Sequence, residues 1–197
     1  DVIYKENLYN NVTFSIDSYE PEVLKYVLDR GFKIVNDITG LTNDEVASVT
    51  ASYDASIVIM HMQNNPENMQ NNPTYDNVIT EVDCFFNKQI QKAKDFGISN
   101  IILDVGIGFG KNLNHNLTLL KNMDHFKHFG CEILIGVSRK SMIDAIVPSQ
   151  IDERVPGTLA IHLESINNGA SIIRCHDVKE HYQAIKVQEA INSSEVL

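Results

Sequence analysis

Basic residues are scarce in this chain. Sixteen Lys and Arg stand against 26 Asp and Glu, a formal charge of −10 over 197 residues. That balance argues against a nucleic-acid surface, where a basic patch supplies the phosphate contacts, and any anionic ligand must meet a local cluster of basic groups. Cysteine is also rare: Cys84, Cys131 and Cys175 are odd in number and far apart, with no CxxC pair. They fit structural thiols in a reducing compartment rather than a disulfide framework. No segment reaches the ~18 apolar residues of a membrane span. The start Asp1-Val2-Ile3-Tyr4-Lys5-Glu6 has neither a basic n-region nor an apolar h-region. The expectation is a cytoplasmic protein with no membrane and no nucleic-acid partner.

Catalytic signatures are missing too. There is no HExxH, and His61, His115, His125, His128, His162 and His181 read as surface or structural residues rather than metal ligands. No GxSxG elbow occurs and no cysteine has the context of a nucleophile, which disfavours covalent catalysis. What is present, 43% apolar and 21% charged residues, describes one soluble globular domain over residues 1–197.

Short β-branched runs recur at Val12–Ile16, Phe32–Val35, Ser56–Met60, Asn100–Leu103, Glu132–Val137 and Ser171–Arg174. Nearly continuous apolarity is what parallel strands covered on both faces require. Between them, helices are expected over Glu20–Arg30, Asp76–Phe96, Asn114–Phe129, Gly157–Asn168 and Val178–Ile191, the first carrying Val23, Val27 and Leu28 on one side and stopping at Gly31. The Asn- and Pro-rich stretch Gln63–Thr74 reads as an exposed loop, which after a strand's carboxyl end is either a site cover or a plain surface connection. Alternating strands and helices give either a doubly wound sheet or a (β/α)8 barrel, and both put ligands at the carboxyl ends of the strands. Polar groups at nearly every strand end suit a barrel mouth better.

The most informative of those ends is Asp104-Val105-Gly106-Ile107-Gly108-Phe109-Gly110-Lys111-Asn112. Alternate glycines let the backbone turn sharply and pass close to other groups. Lys111 stands where a dinucleotide loop needs glycine, and Asn112 where a nucleoside-triphosphate loop needs Ser or Thr, so this is not a nucleotide cradle. Asp17, Asn36, Asp37 and Asp104 offer carboxylates and an amide, a set matched to a flat heterocycle with alternating N–H and carbonyl groups; for each acid, a helix cap is the plain alternative. Opposite charge comes from Ser138-Arg139-Lys140 and Arg174-Cys175-His176. The period of two sends Arg174 and His176 to one side, where they suit phosphate oxygens.

These residues resemble the dihydropteroate synthase family from about Ser15 to Ala190. The resemblance rests on Ser-Ile-Asp-Ser (15–18), Ile-Val-Asn-Asp-Ile (34–38), Ile-Met-His-Met-Gln-Asn-Asn-Pro (59–66), the Asp104 glycine motif, Gly-Val-Ser-Arg-Lys-Ser-Met-Ile (136–143) and Ile-Arg-Cys-His-Asp-Val (173–178). It implies an α/β fold of the (β/α)8 TIM barrel family, usually a homodimer, acting on a pterin diphosphate and 4-aminobenzoate. By the same resemblance Asp17, Asn36, Asp104 and Lys140 bind the pterin ring, with Ile38, Met60 and Phe109 packed around it. Ser138 lies near 4-aminobenzoate, Arg139 lines the ring pocket, and Arg174 with His176 holds the diphosphate. The catalytic set is then Asp104, Lys140, Arg174 and His176. Val105 and Ser18 replace the Pro and Thr common in the family, and neither change removes a charge. The family's first two strand-end loops, one carrying an Asn that helps hold Mg²⁺, have no counterpart here, so the chain is expected to lack the first two βα units and to show six. Two other readings stay open: a pterin-binding fragment without catalysis, and a methyltetrahydrofolate-binding methyltransferase.

Overall fold

Six strands form one sheet: β1 (Ser15–Asp17), β2 (Ile34–Asp37), β3 (Ser56–Met60), β4 (Ile101–Asp104), β5 (Glu132–Ile135) and β6 (Ile172–Ile173). They are seen in a computed structural model that describes residues 2–6, 8–64 and 68–194. Strand order in the sheet is strand order in the chain, and every pair is parallel. That order decides between the two architectures, because a doubly wound sheet reverses at a switch point whereas a barrel always adds its next strand on the same side. The fold is α/β, with consecutive units of a (β/α)8 barrel. Among the described residues β1 and β6 do not pair, yet the sheet curls until Arg174, just past β6, comes within 3.7 Å of Asp17 in β1.

The helices are α1 (Val2–Lys5), α2 (Pro21–Leu28), α3 (Asp44–Ser52), α4 (Val78–Asp95), α5 (Leu113–Lys121), α6 (Ser141–Ile146), α7 (Val155–Asn167) and α8 (Val178–Asn192). Several boundaries differ from expectation. Strand β1 begins at Ser15 rather than Val12, which is exposed at the sheet edge. In α2 the buried side is Leu24 and Leu28, while Val23 points outward. The helix expected over 114–129 breaks at Asn122, whose side chain bonds back to Thr118 O at 2.8 Å, and a 3₁₀ helix follows over Met123–Phe129. Helices α3 and α6 were not anticipated. In α3, β-branched and small residues blur the apolar stripe, and the Asn43 cap, accepting from Glu45 N at 2.9 Å, together with burial of Val46 and Val49 supplies what propensity does not.

Strand register divides the side chains between two cores. Val35, Ile57, Ile59, Leu103, Ile133 and Ile135 face the helices and pack with Leu24, Val46, Phe86 and Leu119. On the concave face Val58, Ile102 and Leu134 form a smaller cluster bordered by Ile34 and Ile172. Both faces are apolar, which is why the strands read as unbroken hydrophobic runs. Toward the carboxyl ends the concave positions change character: Asp17 is registered with Asn36, and Met60 with Asp104. The barrel interior therefore opens into a polar mouth.

Candidate active site

Asp104 is 2% exposed, and its Oδ1 accepts from Gly106 N at 2.8 Å. It is no helix cap: Asn112 caps α5, accepting from His115 N at 2.9 Å. Gly106, Gly108 and Gly110 all have positive φ, at 67°, 81° and 60°. At Gly106 a Cβ would stand 1.9 Å from the His61 carbonyl oxygen, so only glycine lets the loop lie against the end of β3. Lys111 fastens that contact from inside. Its buried ammonium donates to His61 O at 3.1 Å, Gly106 O at 3.0 Å and Phe109 O at 2.9 Å, and lies 3.0 Å from His61 Nδ1. Burial lowers the Lys111 pKa to about 7, and burial together with the Lys111 charge lowers that of His61 to about 3, so His61 Nδ1 is an acceptor. Sequence reasoning missed this role for Lys111. The only local signal was the adjacent close-packed glycine loop.

Around Asp104 the structure gathers most of the expected residues. Asn36 is 5% exposed, and neither its Nδ2 nor its Oδ1 has a hydrogen-bond partner among the described residues. Arg174 crosses the concave face over Gly136, its guanidinium 3.7 Å from Asp17 Oδ2 and 3.9 Å from Asp104 Oδ2. Ser138 and His176 meet through His176 Nδ1 at 2.8 Å from Ser138 Oγ. Asp17, Ser138, Lys140, Arg174 and His176 line one cavity of about 370 Å³. Lys140 borders a second, of about 620 Å³, with Phe109 and the loop residues Met69 and Gln70. Its ammonium donates to Ile107 O and lies 4.5 Å from the Phe109 ring centre. Burial lowers its pKa to about 8 against the opposing pull of Asp104. Met60 is buried beside Asp104 in register, and Ile38 is half-buried directly after β2.

Two expected residues go elsewhere. Asp37 turns away and accepts from Thr39 N, Thr39 Oγ1 and Leu41 N at 2.8, 2.7 and 2.8 Å, organising the turn after β2. Arg139, with φ 57°, forks onto the Asp177 carboxylate, Nε to Oδ2 at 3.0 Å. It lines neither cavity; its contribution is to tie the loop after β5 to the loop after β6. A histidine chain reinforces the tie. Val137 N donates to His162 Nε2 at 3.2 Å, His162 Nδ1 lies 2.7 Å from His181 Nε2, and His181 Nδ1 lies 2.7 Å from Asp177 O. An amide only donates and a carbonyl only accepts, so both imidazoles are neutral with Nδ1 protonated. Across the mouth, Gln70 Nε2 donates to Gly108 O at 2.6 Å, and Gln63 clasps Thr74. Met69 and Gln70 of the 63–74 loop thus border the cavity, while Asn65, Pro66 and Glu67 fall outside the described residues.

Known proteins share this fold and much of this sequence. Residues 1–176 match the family described as pterin binding enzyme. The chain is 37% identical over 193 residues to the bifunctional dihydropteroate synthase/dihydropteroate reductase of Helicobacter pylori, a match that covers 98% of this chain and 51% of that protein. It is 41% identical over 185 residues to the dihydropteroate synthase of Escherichia coli, covering 93% of this chain and 66% of that one. The solved dihydropteroate synthase from Thermus thermophilus in complex with 6HMPPP aligns with a TM-score of 0.92 at 34% identity, over 98% of this chain and 77% of that chain. Fold and mouth together define an α/β barrel protein with a polar pocket at the carboxyl ends of its strands. The chain belongs to the pterin binding enzyme family. It spans between 51% and 66% of the length of those two curated relatives.

Proposed function

We propose that the protein is a dihydropteroate synthase, condensing 6-hydroxymethyl-7,8-dihydropterin diphosphate with 4-aminobenzoate to give dihydropteroate and diphosphate. The observation that carries this reading is Asn36, a buried amide with donor and acceptor both unpartnered among the described residues, registered with Asp17 on the concave face. A buried polar group without partners costs about 1–3 kcal/mol, a cost offset when a ring edge with complementary groups binds. The names of the relatives and the 6HMPPP complex of the Thermus enzyme support the same substrate class.

On this reading Asn36, Asp17 and Asp104 address the pterin edge, Lys140 reaches it from the opposite loop, and Ile38, Met60 and Phe109 close on its faces. Arg174 and His176 take the diphosphate, and Ser138 borders the 4-aminobenzoate. The carbon–oxygen bond breaks first and its electron pair leaves with the diphosphate onto the Arg174 charge. The carbocation left at the pterin methylene is stabilised by the Asp104 carboxylate; the arylamine nitrogen then attacks, a carbon–nitrogen bond forms, and the amine proton is released. Positioning and charge stabilisation do most of the work. Mg²⁺ finds no fit among the residues described at the mouth: Asp17 and Asp104 both face Arg174, and no set of three ligating side chains converges there. No step is routed through it. The same reading treats residues 1–197 as one pterin-binding barrel domain, homodimeric and cytoplasmic. Its three free thiols suit that compartment, and among the described residues no helix is long and apolar enough to cross a membrane.

Asn36→Leu tests the assignment, because it separates binding from folding. Removing an unsatisfied buried amide should leave stability equal or raised by about 1 kcal/mol, while dihydropterin affinity in calorimetry falls at least about tenfold, the ~1.4 kcal/mol of roughly one lost hydrogen bond. Unchanged affinity in the folded variant refutes the pterin site.

A further inference from the structure

Away from the mouth, Asp83 in α4 and His125 and His128 in the 3₁₀ helix bring a carboxylate oxygen and two imidazole nitrogens within 4.8 Å of one another. We propose that this trio is a binding site for a borderline transition-metal ion of the Zn²⁺ class, joining α4 to the segment before β5.

The local geometry builds the site. In a 3₁₀ helix residues three apart stand one above the other, so His125 and His128 form a pair on the outer side. By the same spacing Phe126 and Phe129 form a pair on the inner side, their rings 5.7 and 6.2 Å from that of the buried Phe86. Phe86 and Asp83 are three apart in α4, and neighbours on one helix surface at that spacing. The aromatic contact thus holds the two elements in the register that aligns the ligands. His125 Nε2 lies 2.8 Å and His128 Nε2 3.2 Å from the same oxygen, Asp83 Oδ2.

The second ring nitrogen of His128 is held as well. His128 Nδ1 lies 2.6 Å from the His125 carbonyl oxygen and must donate to it. His128 Nε2 is then the ring nitrogen turned to Asp83 Oδ2, and its lone pair is free to ligate a metal ion whenever that nitrogen carries no proton. A ligating histidine whose other nitrogen donates to a backbone carbonyl is also the usual supporting arrangement for a metal. Two imidazoles and one carboxylate favour Zn²⁺, Co²⁺, Ni²⁺ or Cu²⁺ over Mg²⁺, which selects oxygen ligands. Water completes the coordination of the half-exposed site, and the acidic surface favours any cation.

The test titrates Zn²⁺ into the chelator-stripped full chain against a colorimetric chelator. One Zn²⁺ per chain is expected, with a thermal midpoint that rises on binding, and substitution by Co²⁺ should give visible d–d bands. Asp83→Asn and His128→Gln, both outward-facing changes checked for folding by circular dichroism, should each weaken binding at least about tenfold and abolish the thermal shift. His115→Gln, on α5 outside the trio, should leave it unchanged. Absence of Zn²⁺ uptake, uptake that survives loss of both His125 and His128, or displacement by excess Mg²⁺ would each overturn the proposal; uptake lost only in the trio variants supports it. None of these readouts depends on the pterin site.

Discussion

Gly106→Ala should be far more damaging than Gly97→Ala, a change of the same backbone type. Gly106 has φ 67°, and its added Cβ would meet the His61 carbonyl oxygen at 1.9 Å. The left-handed conformation alone costs an alanine about 1–2 kcal/mol. Relieving the clash requires the Asp104 loop to move off β3, which breaks the Lys111 ammonium's grip on at least one of the His61 and Gly106 carbonyls, now at 3.1 and 3.0 Å. A buried charge-assisted bond contributes about 1.5–3 kcal/mol. Together these give roughly 2.5–5 kcal/mol, a large part of the ~5–15 kcal/mol that holds a domain folded. Gly97 is the matched control, with φ 86° and nothing within 4 Å of the added Cβ; Gly97→Ala should cost only the conformational part. Urea unfolding of both variants measures the difference. Equal shifts in midpoint would refute the close approach between the loop and β3, and with it the account of why Asp104 sits at the mouth.

Two more outcomes bear on the mouth and its support. Arg174→Ala should weaken a pterin diphosphate by about 1.5–3 kcal/mol and a phosphate-free pterin very little; equal losses in parallel titrations would assign Arg174 to the ring or to its pairing with Asp17. His162→Gln concerns acid stability. Burial, and then His181, lowers the His162 pKa from 6.5 to about 4, so as pH falls through that window the unfolded chain takes up the proton first and stability declines, levelling off below. Losing this group should flatten the decline by at most ~1.4 kcal/mol per pH unit, read from urea midpoints between those two pH values. An unchanged slope would show that the histidine chain does not stay neutral.

Much of the architecture is legible in the sequence alone. Strands β2 to β6 were visible because a strand buried on both faces must be apolar at nearly every position, and their polar ends followed from the same local chemistry. Arg174 and His176 do line one cavity, but β6 ends at Ile173 and Cys175 lines it too, so a strand period of two is not what joins them; alternate glycines were enough to mark a loop that turns with positive φ. What periodicity left open was whether the strands continue in one direction round a barrel or reverse at a switch point, because each βαβ unit reads alike in either; pairing between strands decided it. Partners decided the rest. Asp37 and Asp104 are both acids at the ends of parallel strands, yet one is consumed by three N–H and O–H donors of its own turn while the other keeps an oxygen facing the mouth. Arg139 was expected at the ring pocket, but it answers to Asp177, 38 residues away. Lys111 and His61, and likewise His162 and His181, acquire their roles from groups distant in sequence. A local pattern specifies which face a side chain is on; which charge or lone pair it meets there depends on long-range packing, and only the folded chain supplies that.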